Sequence, residues 1–167
     1  MLHYNDIEQF EVFMDRIDKK ILTLLQDDGK LSNQELADKI ALSPSPCLRR
    51  VNQLEEHGII EKYVALLKPE LIGLHLHVIT SVGLDKHSPE RMKQFENTIK
   101  KIPEIMECFL ITGQAADYIL KIIVSDMSHY QKILLDKITQ IPGVTSVYSS
   151  FILQKIIDKT NFPLDFI

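Results

Sequence analysis

Between Lys39 and Leu54 the chain carries three basic residues and no acid. The whole chain holds 19 Lys and Arg against 23 Asp and Glu, for a net charge of −4. Bulk charge thus argues against a nonspecific polyanion coat, while the acid-free window offers a local anion-facing surface. On a helix turning roughly 100° per residue, Ser45, Arg49, Asn52, Gln53 and Glu56 share one face, Arg50 lies on its flank, and Cys47, Leu48, Val51 and Leu54 lie opposite. Arginine pairs with guanine, and Asn or Gln with adenine, so this face carries groups that hydrogen-bond base edges. Arg50, at the flank, is placed to meet phosphate. A plain solvated helix surface is the alternative. Ser32, followed by Asn33, and Ser45 stand at helix starts, where a serine caps and where amides also point at phosphate.

A second constellation lies in Thr112–Tyr118. A zwitterionic ligand leaving water needs partners for both of its charges. Loop amides around Gly113 can receive a carboxylate and Asp117 an ammonium, with Gln114 or Thr112 as a neutral contact; alternatively, Asp117 only caps a turn. Asp126 reads first as a helix cap. Cys47 is either a redox-sensitive thiol or, on an apolar face, a packing group. His75 and His77 have a spacing compatible with metal but no third ligand nearby, so a polar strand edge is the other reading. There is no nucleophile elbow, phosphate-binding loop or dinucleotide glycine motif, which argues for binding rather than catalysis.

The elements that must position these residues follow from periodicity. Ile17, Ile21, Leu24 and Leu25 recur at helical spacing between Asp15, a cap, and Gly29. Ser32 to Glu35 forms a capping box ahead of Leu36, Ala37 and Ile40. A third helix starts at one of the serines of Ser43-Pro44-Ser45-Pro46 and ends near His57-Gly58. Tyr63–Leu67 reads as a β-rich connector and Lys68-Pro69 as a boundary. Beyond it come a strand over Leu74–Leu84, a helix from Pro89 bearing Met92, Phe95 and Ile99, strands over Ile105–Ile111 and Ala116–Val124, a helix from Asp126 with Met127, Tyr130, Ile133 and Ile138 inward, and a strand from Val144.

That order is βαββαβ. Ile102-Pro103-Glu104-Ile105 is echoed by Ile141-Pro142-Gly143-Val144, each copy leaving a helix for a strand. The fold class is therefore α+β: an N-terminal helix-turn-helix followed by a ferredoxin-like sandwich with both helices on one face of an antiparallel sheet. The other face, expected to present Leu74, Leu76, Val78, Val82 and the strands around Phe109 and Phe151, needs a cover, and a second subunit is the simplest one. The division expected is 1–14 as an N-terminal extension, 15–60 as the helix-turn-helix, 61–69 as a hinge and 70–167 as the sandwich. In 167 residues that are 45% apolar, no apolar run reaches membrane-span length and no basic-then-apolar leader opens the chain, so no membrane partner is expected and a cytoplasmic location is the default. Cys47 and Cys108 are far apart and have no metal-type spacing.

Several strings together resemble the leucine-responsive regulator/AsnC family of transcription factors. They are Ile17-Asp18-Lys19-Lys20-Ile21-Leu22, Leu31-Ser32-Asn33-Gln34-Glu35-Leu36-Ala37, Ser43-Pro44-Ser45-Pro46-Cys47-Leu48-Arg49-Arg50-Val51, Thr112-Gly113, Asp117-Tyr118 and Asp126-Met127. The likeness runs over about residues 15–160, and the Ser-Pro-x-Pro-Cys-Leu string is its most specific part. The resemblance implies double-stranded DNA as partner, a winged or plain helix-turn-helix, a β-strand hinge and a small-molecule sandwich domain. It also implies self-assembly as dimers, often further into octamers, with a free amino acid as effector and no cofactor. It places Leu110, Tyr118, Met127, Ser150 and Phe151 with Asp126 around the response site. The loop Gly113–Tyr118 is one residue longer than the family's usual spacing. Sirohaem decarboxylases resemble both domains and supply an enzyme alternative, against which stands the base-reading face of the third helix. An effector-independent architectural DNA-binding protein is the other alternative.

Overall fold

The structure, a computed structural model, describes residues 14–113 and 115–165. The expected N-terminal extension, apart from Met14, and the candidate Gln114 lie outside the described residues. The chain forms two compact units, one of residues 1–66 with 157–167, the other of residues 67–156.

In the first unit, α1 spans Arg16–Asp27, α2 Asn33–Ile40 and α3 Pro44–Glu56. Asp15 caps α1 by accepting the Ile17 and Asp18 amides, and the Asp18 carboxylate accepts the Asp15 amide in return. Ser32 and Glu35 form the same reciprocal box on α2. The turn into α3 passes through Ala41, which has a left-handed backbone (φ 57°) that closes the end of α2 without a glycine. Ile21, Ala37 and Cys47 are fully buried where the helices meet, with Leu22, Leu36, Ile40 and Leu54 around them.

Arg50 fixes the seat of α3. Its Nη1 lies 2.8 Å from both an Asp15 and an Asp18 carboxylate oxygen. Asp18 is itself 8% exposed on the buried face of α1, so its charge needs this partner. The hydrogen bond to Asp18 raises the guanidinium pKa, aided by Asp15. The Asp18 amide, then Arg50 and the Ile17 amide, hold the Asp15 carboxyl below its ordinary value.

Residues 61–68 form no strand and are exposed throughout, where a β-rich connector was expected. No backbone among the described residues pairs with this segment, and a lone extended run is not a strand. At the far end, 157–165 joins the helical unit rather than the sandwich, to which 70–167 had been assigned. Gln26 holds the Phe162 backbone on both sides, at 2.6 Å to its N–H and 3.2 Å to its carbonyl. Asn161 donates to Asp27, and Leu164 packs on the helical core.

The second unit is the expected βαββαβ order: β1 (Leu76–Leu84), α4 (Pro89–Ile99), β2 (Ile105–Leu110), β3 (Tyr118–Val124), α5 (Met127–Ile133, continued by a π-turn over Leu134–Ile138) and β4 (Val144–Phe151). The sheet runs β2-β3-β1-β4 with every neighbouring pair antiparallel. Val78, Val82, Leu120, Ile122 and Val124 are fully buried with Phe95, Ile133 and Ile138 of the helices. This corrects the expected open face: Leu76, Val78 and Val82 belong to the helix side. Alternation puts Ile79, Ile119, Ile123, Phe109 and Tyr148 on the other side, where Phe109 is 50% and Tyr148 66% exposed. Met127, expected inward, is also exposed, because it occupies the first turn of α5 beside the Asp126 cap.

Removing the Arg50 side chain should leave the Asp18 carboxylate half-paired and lower stability by about 1–3 kcal/mol. Urea unfolding of Arg50→Ala checks this; an unchanged midpoint would mean the clamp contributes nothing. Because the folded Asp15 pKa is depressed, its contribution is fully present above the ordinary carboxylate range and is lost as pH falls through the folded value. Asp15→Asn should therefore narrow the gap to wild type as melting curves are taken at progressively lower pH.

Candidate functional site

The solvent face of α3 is an open, shallow concavity lined by Ser45, Leu48, Arg49, Asn52, Gln53 and Glu56. Arg49, Asn52 and Gln53 are exposed, and no hydrogen bond or ion pair made by their own side chains is found among the described residues, although the Gln53 backbone carbonyl meets His57 Nδ1 at 2.7 Å. Their donors are thus open to an incoming base edge. Three expectations change here. Ser43, not Ser45, is the N-cap of α3, since Ser45 falls inside the first turn, and no side-chain cap bond forms, Pro46 at the third helical position having no N–H to donate. Arg50 is committed to Asp15 and Asp18 instead of facing phosphate. Leu48, expected on the core face, is 48% exposed and lies in the concavity.

Ser32 is exposed, with its hydroxyl donated to Glu35 at 2.6 Å. Asn33 donates to the Pro44 carbonyl at 2.9 Å and so ties the start of α2 to the start of α3. Cys47 is fully buried, and burial pushes its thiol pKa up, which disfavours the thiolate that redox sensing needs. His75 is exposed before β1 and His77 is buried within it; no metal-holding cluster occurs among the described residues.

The effector candidates fall into two groups. Leu110 ends β2 opposite Tyr118, and Thr112 and Gly113 follow it, the glycine at φ 84°, a left-handed backbone that suits the turn. Asp117 enters β3 with one carboxylate oxygen 2.7 Å from the Leu84 amide nitrogen, which donates to it, and the other 2.6 Å from His87 Nε2. Tyr118 is buried against Phe95 and donates its hydroxyl to Glu96 at 3.0 Å, and burial followed by Glu96 raises its pKa. It faces the core and not an open site. At the other end of β3, Asp126 caps α5 by accepting the His129 amide, and Met127, Ser150 and Phe151 are exposed nearby in register with the start of β1. The bond from the His129 amide, then Ser125, holds the Asp126 carboxyl below its ordinary value. Seven residues of β3 separate the two groups by roughly 20 Å. One chain therefore does not unite all the candidate effector residues.

Arg50's structural role was missed at the sequence level, although an acid on the apolar face of α1 was a readable signal that a buried cation partner was needed. Leu48's exposure was also missed. A helix-turn-helix with an open polar third helix, carried on a chain with a separate βαββαβ unit, defines a DNA-binding transcriptional regulator. Residues 14–61 match the family described as Winged helix-turn-helix DNA-binding, and residues 77–162 match the Lrp/AsnC ligand binding domain. The leucine-responsive regulatory protein of Escherichia coli (strain K12) is 41% identical over 143 residues, covering 86% of this chain and 87% of that protein. A transcriptional regulator of Neisseria meningitidis solved in complex with L-Met is 40% identical at a TM-score of 0.87, covering 91% of this chain and 97% of that one. An AsnC family regulator from Agrobacterium tumefaciens is 36% identical at the same TM-score, covering 92% and 99%. The chain belongs to the Lrp/AsnC family. These relatives are named as regulators, not enzymes, so the sirohaem-decarboxylase alternative falls. No helix among the described residues is long and apolar enough to cross a membrane.

Replacing Asp117 by Ala should leave the Leu84 amide without its acceptor and destabilise the ligand-binding unit by about 1–2 kcal/mol, whereas Asp117→Asn keeps an acceptor and should lose less. Matching urea midpoints for wild type and both variants would show that this carboxylate does not hold the end of β1.

Proposed function

We propose that this regulator reads its operator through Arg49, Asn52 and Gln53 on α3 and that a free amino acid sets its DNA binding or assembly. The observation that carries the first half is the open donor row of α3, made possible because Arg50 alone is consumed by the helical core. Ser32, Ser45 and Asn33 stand at the starts of α2 and α3, where amides face phosphate. An amino-acid effector agrees with the L-Met bound to the Neisseria meningitidis relative and with the leucine response named for the Escherichia coli one.

The two separated groups of candidate effector residues are reconciled if the response site forms between copies, one chain contributing Leu110, Thr112, Gly113, Gln114, Asp117 and Tyr118, the other Asp126, Met127, Ser150 and Phe151. Tyr118 would act from beneath as support. Self-association as a dimer or larger ring also covers Phe109 and Tyr148 on the open sheet face, and an apolar sheet face of this kind calls for such a cover.

Arg49→Ala should weaken operator binding by about 1–3 kcal/mol and relax preference at one base pair, while melting like wild type. Intact affinity and intact preference would sink the α3 assignment. A thermal-shift screen of the twenty amino acids, followed by DNA titrations with each hit, tests the effector, since a ligand of the native state raises its melting temperature. A screen with no hit, together with unaltered operator binding, would leave the effector-independent architectural reading.

A further inference from the structure

We propose that Leu48 is a sequence-reading residue, packing against the C5-methyl of a thymine in the major groove. This inference rests on the α3 assignment above and adds a base identity to it.

Three observations converge on Leu48. The first is angular. With Cys47 at zero and roughly 100° per residue, Val51 and Leu54 lie within about 40° of Cys47, whereas Leu48 lies about 100° away. Asn52 is only about 40° from Leu48 and Ser45 about 60°, so the leucine stands at the margin of the polar face. The second is burial: Cys47 is fully buried and Leu54 is 4% exposed, but Leu48 is 48% exposed. The helical core closes over Ile21, Leu36, Ala37, Cys47 and Leu54 without it. The third is company. Leu48 shares its concavity with Ser45, Arg49, Asn52 and Gln53, side chains that hydrogen-bond bases.

On the major-groove edge of B-DNA the thymine methyl is the one apolar group of that size, set among donors and acceptors. An apolar side chain set among Arg49 and Asn52 therefore has one complementary base. Asn52 on an adenine brings the methyl of the paired thymine into the same groove wall, and Leu48, one turn before Asn52, is within reach of that pair or its neighbour. A single exposed leucine on an arbitrary surface would call for no explanation. This one sits where water must leave if the flanking donors meet bases.

The test uses the full chain. Duplexes enriched from a random library by the protein serve as operator, and each thymine is then replaced in turn by uracil, which keeps the pairing edge and removes only the methyl. Wild type should lose about fourfold in affinity at one thymine per half-site, the factor for one methyl-sized apolar group. Leu48→Ala should bind the thymine operator about that much more weakly and make no distinction between thymine and uracil at that position, with other positions unchanged and the melting temperature of wild type retained. Indifference of wild type to every replacement, or full thymine preference in Leu48→Ala, overturns the proposal while sequence-selective binding remains intact. Failure to enrich any duplex overturns the α3 assignment itself and this proposal with it.

Discussion

A single guanidinium decides what the reading helix can do. Arg50 is held between two carboxylates from the first turn of α1, one of them nearly buried, and that clamp fixes both the roll and the position of α3 against its neighbours. Two adjacent arginines thus take opposite fates. Arg50 points inward and becomes part of the fold, and Arg49, one helical step away, is turned out with no ion pair to it among the described residues. The same roll puts Cys47 and Leu54 in the core and carries Asn52 and Gln53 to the solvent side. A surface that recognises DNA by hydrogen-bond geometry must be held to within a fraction of a bond length, and a salt bridge to a buried partner is a stiffer hold than apolar packing alone.

The ligand-binding unit obeys a different constraint. Placing both helices on one side of an antiparallel sheet buries Val78, Val82, Leu120 and Ile122 completely but leaves the opposite side with half-exposed aromatics around a Lys121–Glu107 ion pair. Inside, the Tyr130 hydroxyl meets Thr80 at 3.0 Å and also Ser149, so that β1, α5 and β4 are joined through a single buried oxygen. Ring contact between Tyr130 and Phe151 extends that link to the end of β4. The candidate effector residues around Met127 and Phe151 therefore rest on a braced corner of the unit, and those around Gly113 on the connection from β2 to β3, whose end is held by the Asp117 amide on the Val82 carbonyl at 2.9 Å.

Much of this was legible in the residues. The Asp15 cap, the capping box at Ser32, the prolines of α3, the Ile-Pro echo and the apolar periods located α1 to α5 and β1 to β4, because each rests on a local hydrogen bond or a local period; the 3-10 turn over Pro69–Ile72 was not expected. What stayed hidden depended on distant partners. Arg50's commitment to Asp18 spans 32 positions, and no window of sequence contains both ends. Tyr63–Leu67 read as β-rich by composition, yet a strand exists only with a neighbour, and no described residue pairs with it. The sheet faces were exchanged for a simpler reason: a shift of one in the assumed phase reverses every side chain of β1.

The docking of Phe162 and Leu164 onto α1 has a consequence for how the protein is made. Domains near the start of a chain ordinarily complete their folding while the rest is still being synthesised. Here Gln26 and Asp27 of α1 receive partners from residues more than 130 positions later. The contacts of this unit are complete only after the whole sheet has emerged, so a nascent chain halted within β4 carries α1, α2 and α3 and still lacks the segment that docks on α1.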